Sequence, residues 1–186
     1  MIDSTEQIKT DVRNQADAAG CLSKTFSRRP EAKLDFTLAF NHALDNGRKN
    51  ISLTKQLYGE YSRTAMRYTK LYPDWRSRFA NENRIDTLDR LIDGFYTDVK
   101  KRGGLTIDLL AGIYDSLNIN QLLVDGNNRA SILALTHILA QYGFPPPNFS
   151  RISSDRLQEL EKKFPLNHRK AVVEFLRESL GAIPLR

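Results

Sequence analysis

Residues 118–129 read NINQLLVDGNNR and lead directly into an apolar run over 130–142. The run has the length and composition of a buried helix, and Asp125-Gly126-Asn127 forms a polar turn in front of it. A glycine-containing turn that enters a helix presents free backbone N–H groups and the positive end of the helix dipole. The sequence therefore predicts an anion site at this junction.

The side chains around the turn suggest which anion would bind. Arg129, in the first turn of the helix, adds a forked donor that suits phosphate oxygens. Asp125 could hold a magnesium ion that the same phosphates share. Together these residues predict a nucleotide-phosphate cradle made of Gly126, Asn127, Asn128 and Arg129, with Asp125 as the metal ligand. The alternative is an ordinary loop with an Asx-type cap at Asn127 or Asn128 and a surface arginine.

Apolar residues recur at helical spacing along most of the chain, and strand patterns are almost absent. We expect an all-α single domain, a helical bundle with at most a short β-hairpin. A polar first helix over 3–19 belongs to a loosely attached N-terminal arm, residues 1–29, and the helical domain covers 30–186. The helices predicted within that domain are 30–47, 52–72, 85–101, one capped by Thr106 that carries 109–117, 130–142, 154–163 and 167–180.

Composition places the chain among ordinary globular proteins. Its 186 residues are 40% hydrophobic and 27% charged, which suits one domain with a sizeable core. Every apolar run is too short to span a membrane, and residues 1–6 do not resemble a secretory signal. We therefore expect a cytoplasmic protein, or one exported without a classical signal peptide, with no membrane partner. Cys21 is the single cysteine, which excludes an internal disulfide.

The net charge of +6 raises the question of a nucleic-acid partner. The basic residues are scattered, and the one patterned group, Arg63, Arg67 and Lys70, has helical spacing. Such a stripe indicates a solvated face, an acidic partner or a polyphosphate ligand, so we regard nucleic acid as an unlikely partner. Tyr68 and Tyr72 share a predicted helix face, which is more typical of core packing than of base stacking.

Residues 121–132 resemble the signature of the Fic (filamentation induced by cyclic AMP) and Doc family, His-x-Phe-x-Asp/Glu-Gly-Asn-Gly-Arg-x-x-Arg. Leu123 takes the phenylalanine position, and the matching residues are Asp125, Gly126, Asn127 and Arg129. The sequence Gly143-Phe144-Pro145-Pro146 is similar to the family's Gly-x-Pro-Pro turn. The resemblance covers roughly residues 83–183.

This resemblance implies a Fic-like helical bundle with its motif at 121–132. It implies a nucleotidyltransferase or related phosphotransferase that uses Mg²⁺ and a nucleotide, with ATP the first choice. Such an enzyme moves AMP, or another phosphate-containing group, onto a hydroxyl of a protein target. An effector or toxin role is among those that the resemblance allows.

Three positions depart from the signature. Gln121 stands at the catalytic histidine, Asn128 at the second glycine and Ile132 at the trailing arginine. Glutamine has no nitrogen that titrates near neutral pH, and losing a general base costs on the order of 10²–10⁴ in rate. Doc-type members, which phosphorylate, also lack that glycine. We expect impaired or altered transfer; the alternative is a catalytically dead Fic-fold module that binds a protein partner.

Other residues could replace the missing base only if the fold brings them to the turn. The sequence predicts His42 as a C-terminal helix cap and His137 as a core residue two turns beyond Arg129. His168 lies near a predicted helix start without an acidic neighbour, and Asp115 stays open as an alternative base. No match is found to the family's inhibitory Ser/Thr-x-x-x-Glu-Gly/Asn helix, so self-inhibition of that kind is not expected.

Overall fold

A computed structural model describes residues 29–148 and 154–181 of the chain. Two 3-10 turns, Arg67–Thr69 and Arg76–Arg78, accompany six helices: α1 Pro30–Arg48, α2 Lys55–Ala65, α3 Glu82–Lys101, α4 Ile107–Ile119, α5 Asn127–Gln141 and α6 Ser154–Leu180. Within these ranges the extended pairing is one isolated antiparallel bridge, between Phe79 and Leu123. The all-α prediction is confirmed. The predicted helix over 3–19 and Cys21 lie outside the described residues.

Helix α5 is the centre of the domain. Every residue over 130–140 is buried, and α1, α2 and α4 all pack against this helix. A helix that is apolar on every side needs such surroundings, because none of its faces can be left to water. At Gly47 the approach of α1 is so close that a Cβ would lie 2.3 Å from the carbonyl oxygen of His137. This packing holds the C-terminal part of α5 firmly against α1.

Side-chain caps set the starts of several helices. The Thr106 side chain accepts a hydrogen bond from the backbone N–H of Leu109 at 3.2 Å, which confirms the predicted cap of α4. Thr54 caps α2 in the same way. Asn81 caps α3, which begins three residues earlier than predicted. Caps of this kind are local in sequence, and the cap at Thr106 was predictable for that reason, whereas the predicted starts at 52 and 85 each miss the observed start by three residues.

The predicted helix over 52–72 is wrong at its C-terminal end. Helix α2 ends at Ala65, a 3-10 turn follows, and Lys70 has a left-handed backbone with φ of 57°. Tyr68 and Tyr72 therefore leave the helix face on which periodicity placed them. Both meet arginines instead, the first Arg129 and the second Arg78, and these tertiary contacts outweigh a weak local helix preference.

The predicted basic stripe is also wrong, because its members do not share one helix. Arg63 lies on α2 and pairs with Glu60 at 2.9 Å. Arg67 lies in the 3-10 turn and pairs with the buried carboxylate of Asp35 at 3.2 Å. Two of the three positive charges are thus matched by neighbouring carboxylates, and the group offers no continuous positive surface.

The chain changes direction within α6. Residues Ser154–Leu180 are helical throughout, where the sequence predicts two helices. Arg156 nevertheless bonds the carboxylate of Glu178 at 2.7 Å. A straight helix would separate residues 22 apart by roughly 33 Å, far beyond the reach of these side chains. The chain therefore folds back between Arg156 and Glu178, although the prediction of two separate helices over 154–163 and 167–180 is wrong.

The prediction of His42 as a C-terminal cap is wrong. Helix α1 continues past it to Arg48, and Lys49 occupies the capping position. His42 is exposed, and its ring meets the edge of the Tyr61 ring at 5.4 Å. None of the helices in the described ranges is long and apolar enough to cross a membrane.

Candidate functional site

The loop between α4 and α5 has the shape of a tight double turn. Gln121, just after α4, has a left-handed backbone with φ of 45°, and Gly126, just before α5, has φ of 74°. A left-handed backbone is strained for most side chains and costs glycine little. Gly126 is therefore required by the turn itself, whereas Gln121 carries local strain at the position of the family's histidine.

Asn127 holds the loop in this shape. Its side-chain oxygen accepts a hydrogen bond from the backbone N–H of Leu123 at 2.9 Å, and its amide nitrogen donates to the Leu123 carbonyl at 3.1 Å. The same nitrogen also donates to Oε1 of Gln121 at 3.3 Å. The Asn127 side chain thus bonds backward across the loop. Of the groups of Asn127, only the backbone N–H is left to donate a hydrogen bond to an anion.

The N-terminus of α5 carries no side-chain cap. The first backbone bond there runs from the N–H of Ala130 to the carbonyl of Gly126, at 3.0 Å. The N–H groups of Asn127, Asn128 and Arg129 accordingly have no acceptor in the part of the chain that the structure describes. The alternative of an Asx-type cap at this junction is therefore wrong, and the donors of the first turn are available to a ligand.

Arg129 is buried, with 8% of its surface exposed, so the alternative of a surface arginine is also wrong. Its Nη1 donates to the Tyr68 hydroxyl at 3.4 Å. Its Nη2 lies 3.4 Å from the position that a Cβ on Gly126 would take, so the guanidinium group folds over the loop. No carboxylate pairs with it among the described residues. The arrangement places an unneutralised positive charge against the free N–H groups.

Arg78 is a second buried arginine at the same loop. It has 0% exposure, donates from Nε to the Ser62 hydroxyl at 2.9 Å and donates from Nη2 to the carbonyl of Asp125. Its guanidinium carbon lies 3.8 Å from the centroid of the Tyr72 ring. Burial lowers the pKa of Arg78; Tyr72 and the charge of Asp125 partly oppose this shift, and the nearby charge of Arg129 adds to it.

Arg78 is held in place by a short extended pairing. The N–H of Val124 donates to the Arg78 carbonyl at 2.9 Å, and the N–H of Ala80 donates to the Leu122 carbonyl at 3.4 Å. Arg78 could not be predicted from the sequence, because arginine is normally exposed and nothing local marks this one as buried. The sole sequence signal is its place in an irregular segment between two helices.

The three departures from the signature occupy different surroundings. Gln121 is exposed, and its Nε2 donates to the Asn118 carbonyl at 2.8 Å. Asn128 is exposed in the first turn of α5, beside the free N–H groups. Ile132 has 1% exposure and packs in the core. The position of the family's trailing arginine is thus part of the apolar interior here.

Asp125 fits a magnesium ion shared with phosphates better than a protein-only metal site. Its carboxylate is exposed, and Oδ1 accepts from the N–H of Gly126 at 2.6 Å. No cluster of three or more histidine, cysteine or acidic residues occurs in the described part of the chain. Magnesium commonly takes one or two carboxylates, with substrate phosphates and water completing its shell. Asp125 can supply one such ligand.

His137, one of the other candidate bases, is held in the core by hydrogen bonds. His137 is fully buried: its Nδ1 lies 2.7 Å from the Tyr61 hydroxyl and its Nε2 lies 2.8 Å from the Ile51 carbonyl. Burial lowers the pKa of His137 to about 4, so it stays neutral at physiological pH. The predicted core role is confirmed. Asp115 lies within α4, and the side chain of His168 lies outside the described residues.

A separate cavity of about 340 Å³ lies between α3, α4 and α6. Arg90, Arg102 and Arg169 line it together with Asp98 and Asp108. Its positive charges are thus accompanied by carboxylates, and no residue of 121–132 borders it. This cavity is a second place where an anion could bind, so a binding experiment must distinguish it from the site at the start of α5.

Comparison with known proteins supports the fold. No family model matches this chain, and no curated protein does. The chain is similar to a solved structure, the crystal structure of IbpAFic2, with a TM-score of 0.67 and 22% sequence identity. The match covers 97% of this chain and 63% of that one, so the chain spans less than two thirds of its length. At this identity the likeness shows a Fic-like helical fold, as the resemblance of residues 121–132 predicts.

Proposed function

We propose that this chain binds a nucleotide at the start of α5 and is a Fic-like transferase with impaired or altered activity. The group transferred is AMP or another phosphate-containing group, the acceptor is a hydroxyl of a protein target, and ATP with Mg²⁺ is the first donor to test. The Fic-like fold supports this class of reaction. The nucleotide, the metal and the target are proposals.

The buried guanidinium of Arg129 carries the proposal. A cation with 8% exposure and no carboxylate partner in the described chain is costly to bury. It lies over Gly126, next to the uncapped first turn of α5. A phosphate bound there would neutralise the arginine and accept hydrogen bonds from the N–H groups of Asn127 and Asn128. One ligand would thus pair with the guanidinium and with these two N–H groups.

Asp125 and Gln121 determine what chemistry such a site could perform. A magnesium ion on Asp125 would neutralise phosphate charge during transfer. Transfer of AMP joins the target oxygen to the α-phosphorus and releases pyrophosphate, and the hydroxyl proton must leave. Gln121 cannot accept that proton at neutral pH, although its amide could orient the hydroxyl by a hydrogen bond. The proton would have to pass to water, and so we expect slow transfer.

A catalytically dead binding module is the second candidate. It is favoured by Gln121, whose Oε1 accepts from Asn127 and whose Nε2 donates to Asn118. Both ends of this amide already serve the loop, as in a structural residue.

The experiment that separates the two candidates uses labelled nucleotides. The protein is incubated with labelled ATP, Mg²⁺ and a cell lysate, and labelled proteins are sought on a gel. Transfer predicts a band that Arg129→Ala abolishes and that Arg90→Ala, a change of an exposed arginine on α3, leaves intact. Nucleotide binding by calorimetry without any labelled product supports the module. Absence of both binding and label at millimolar nucleotide contradicts the proposal.

Gln121→His tests whether the rest of the site is competent. If the loop, Asp125 and Arg129 form a working cradle, a histidine at this position should raise transfer or self-modification by as much as ~10²-fold. Adding Arg129→Ala should remove the gain, because a misplaced nucleotide leaves the base without a function. A slower Gln121→His variant would show instead that Gln121 has a catalytic role of its own.

A further inference from the structure

Two buried arginines meet one short loop from opposite elements. Arg78, in the 3-10 turn between α2 and α3, donates to the carbonyl of Asp125. Arg129, on α5, lies against the next residue, Gly126. Neither has a carboxylate partner among the described residues. Two like charges therefore flank Asp125-Gly126, in a region where little water reaches either of them.

The groups around Arg78 compensate its charge only in part. A hydroxyl oxygen, a carbonyl oxygen and the face of an aromatic ring surround the guanidinium, and Nη1 has no hydrogen-bond partner in the described chain. Dipoles and ring faces stabilise a cation less than a carboxylate does. An anion at the loop would supply the missing negative charge. Asp125 itself is exposed and contributes its carboxylate from the solvent side.

We propose that Arg78 is a positioning residue of the same anion site and the second of its two buried positive charges. The site then favours anions with two or more negative charges, such as a nucleoside di- or triphosphate, over singly charged or neutral ligands. This inference rests on the proposed function. Arg78 takes no direct contact with the ligand, because its side chain is fully buried. Arg78 acts on the ligand through the electrostatic field of its charge, and it holds the Asp125 carbonyl in place by a hydrogen bond.

Ile132 supplies no positive charge at the position where the Fic signature has its second arginine. The Fic signature has a second arginine there, whereas this chain has an isoleucine with 1% exposure. Arg129 alone would face a polyphosphate with several negative charges. Arg78 lies in the 3-10 turn Arg76–Arg78 rather than on α5, and its side chain is fully buried. It therefore adds positive potential without occupying the space of the ligand.

The test measures how affinity depends on ligand charge. The intact chain and Arg78→Met are titrated at low ionic strength with ATP, ADP, AMP and adenosine, with and without Mg²⁺. We expect Arg78→Met to weaken ATP binding on the order of tenfold and to leave adenosine binding nearly unchanged. The matched control is Arg84→Met, since Arg84 also donates to a loop carbonyl, that of Asn120 at 2.8 Å. Arg84→Met should lower the affinity for all four ligands by the same factor or leave it unchanged.

Two further variants keep the test informative if Arg78→Met does not fold. Arg78→Lys retains the charge and loses the fork, so it should keep the preference for ATP over adenosine. Tyr72→Leu removes the ring that lies against the guanidinium but leaves the charge of Arg78 in place, so the preference for ATP over adenosine should be kept or should rise. An equal loss for all four ligands would mean that Arg78 only shapes the loop, and would overturn the inference. Failure of the wild-type chain to bind any polyphosphate would overturn the proposed function as well.

Discussion

The two ends of α5 both bury polar side chains, and they do so in opposite ways. Toward the C-terminal end, His137 lies between the Tyr61 hydroxyl and the Ile51 carbonyl, and the amide of Asn46 donates to the same hydroxyl at 3.1 Å. Every member is neutral and has partners. At the N-terminal end, Arg129 and Arg78 are cations with no carboxylate partner in the described residues.

The difference indicates which end is structural and which is functional. Buried polar groups with all their hydrogen bonds made rigidify a core and need nothing more. Buried charges without counter-ions lower stability unless a ligand completes them. We therefore assign the C-terminal end to the fold and the N-terminal end to binding. The predictions below perturb one end or the other and measure stability at the structural end and ligand binding at the functional end.

The largest effect is expected where α1 touches the C-terminal end of α5. A Cβ on Gly47 would lie 2.3 Å from the His137 carbonyl oxygen and 2.7 Å from the Cβ of Ala140. Backbone cannot move aside cheaply, so Gly47→Ala should lower the free energy of unfolding by at least about 3 kcal/mol. Gly94→Ala is the control, because nothing lies within 4 Å of its Cβ and alanine favours the helix. Urea denaturation of both variants measures the contrast, and equal stabilities would contradict it.

The His137 network should make the C-terminal end sensitive to acid. The pKa of His137 falls to about 4 in the folded chain, against about 6.5 when unfolded, because burial disfavours the cation. Between about pH 6.5 and 4 the unfolded chain binds a proton at His137 that the folded chain excludes. The free energy of unfolding is therefore unaffected by this group above about pH 6.5 and falls by up to about 3 kcal/mol as the pH falls toward 4. Denaturation at several pH values should show wild type losing stability relative to His137→Gln over that interval. A constant difference between the two would refute the assignment.

At the N-terminal end, stability and binding should move in opposite directions. Arg129→Met keeps most of the volume and removes a buried cation, so the free energy of unfolding should stay the same or rise by up to about 1 kcal/mol. Nucleotide affinity should fall on the order of 10- to 100-fold, since charge-assisted bonds to phosphate are lost. Parallel denaturation and calorimetry give both quantities. A variant that is strongly destabilised would place Arg129 with the structural end instead.

A small effect is expected at the edge of the site. The Tyr68 hydroxyl accepts from Arg129 at a long 3.4 Å, so Tyr68→Phe should change nucleotide affinity by no more than about threefold. The same substitution at Tyr61 removes a hydroxyl that serves both Asn46 and His137, and should cost about 1–3 kcal/mol of stability. The pair of variants compares one hydroxyl at each end. Similar losses of stability from both would weaken the distinction.

Sequence alone predicts the elements whose signals are local. The cap at Thr106, the helix begun by Pro30 and the apolar run of α5 mark the fold because each depends on neighbouring residues. The junction at Asp125-Gly126 was found for the same reason. His137 was placed correctly in the core because it lies on an apolar helix.

The remaining features depend on contacts between distant residues. Helix α2 ends at Ala65 because Tyr68 and Tyr72 bind arginines that periodicity cannot identify. Arg78 is buried because Ser62, 16 residues before it, and Asp125, 47 residues after it, converge on its side chain. The helix and strand propensities of neighbouring residues cannot indicate contacts between residues so far apart in sequence. The buried position of Arg78 is therefore visible only in the folded chain.

Amide NMR during a titration with ATP tests most directly whether the start of α5 is the anion site. The account predicts that the backbone N–H signals of Gly126, Asn127, Asn128 and Arg129 shift first and most, and that Arg129→Met removes these shifts. Signals around His137 should remain in place. The result that would contradict the account is an absence of shifts at 126–129 at millimolar ATP, or shifts centred on Arg90, Arg102 and Arg169 in the cavity between α3, α4 and α6.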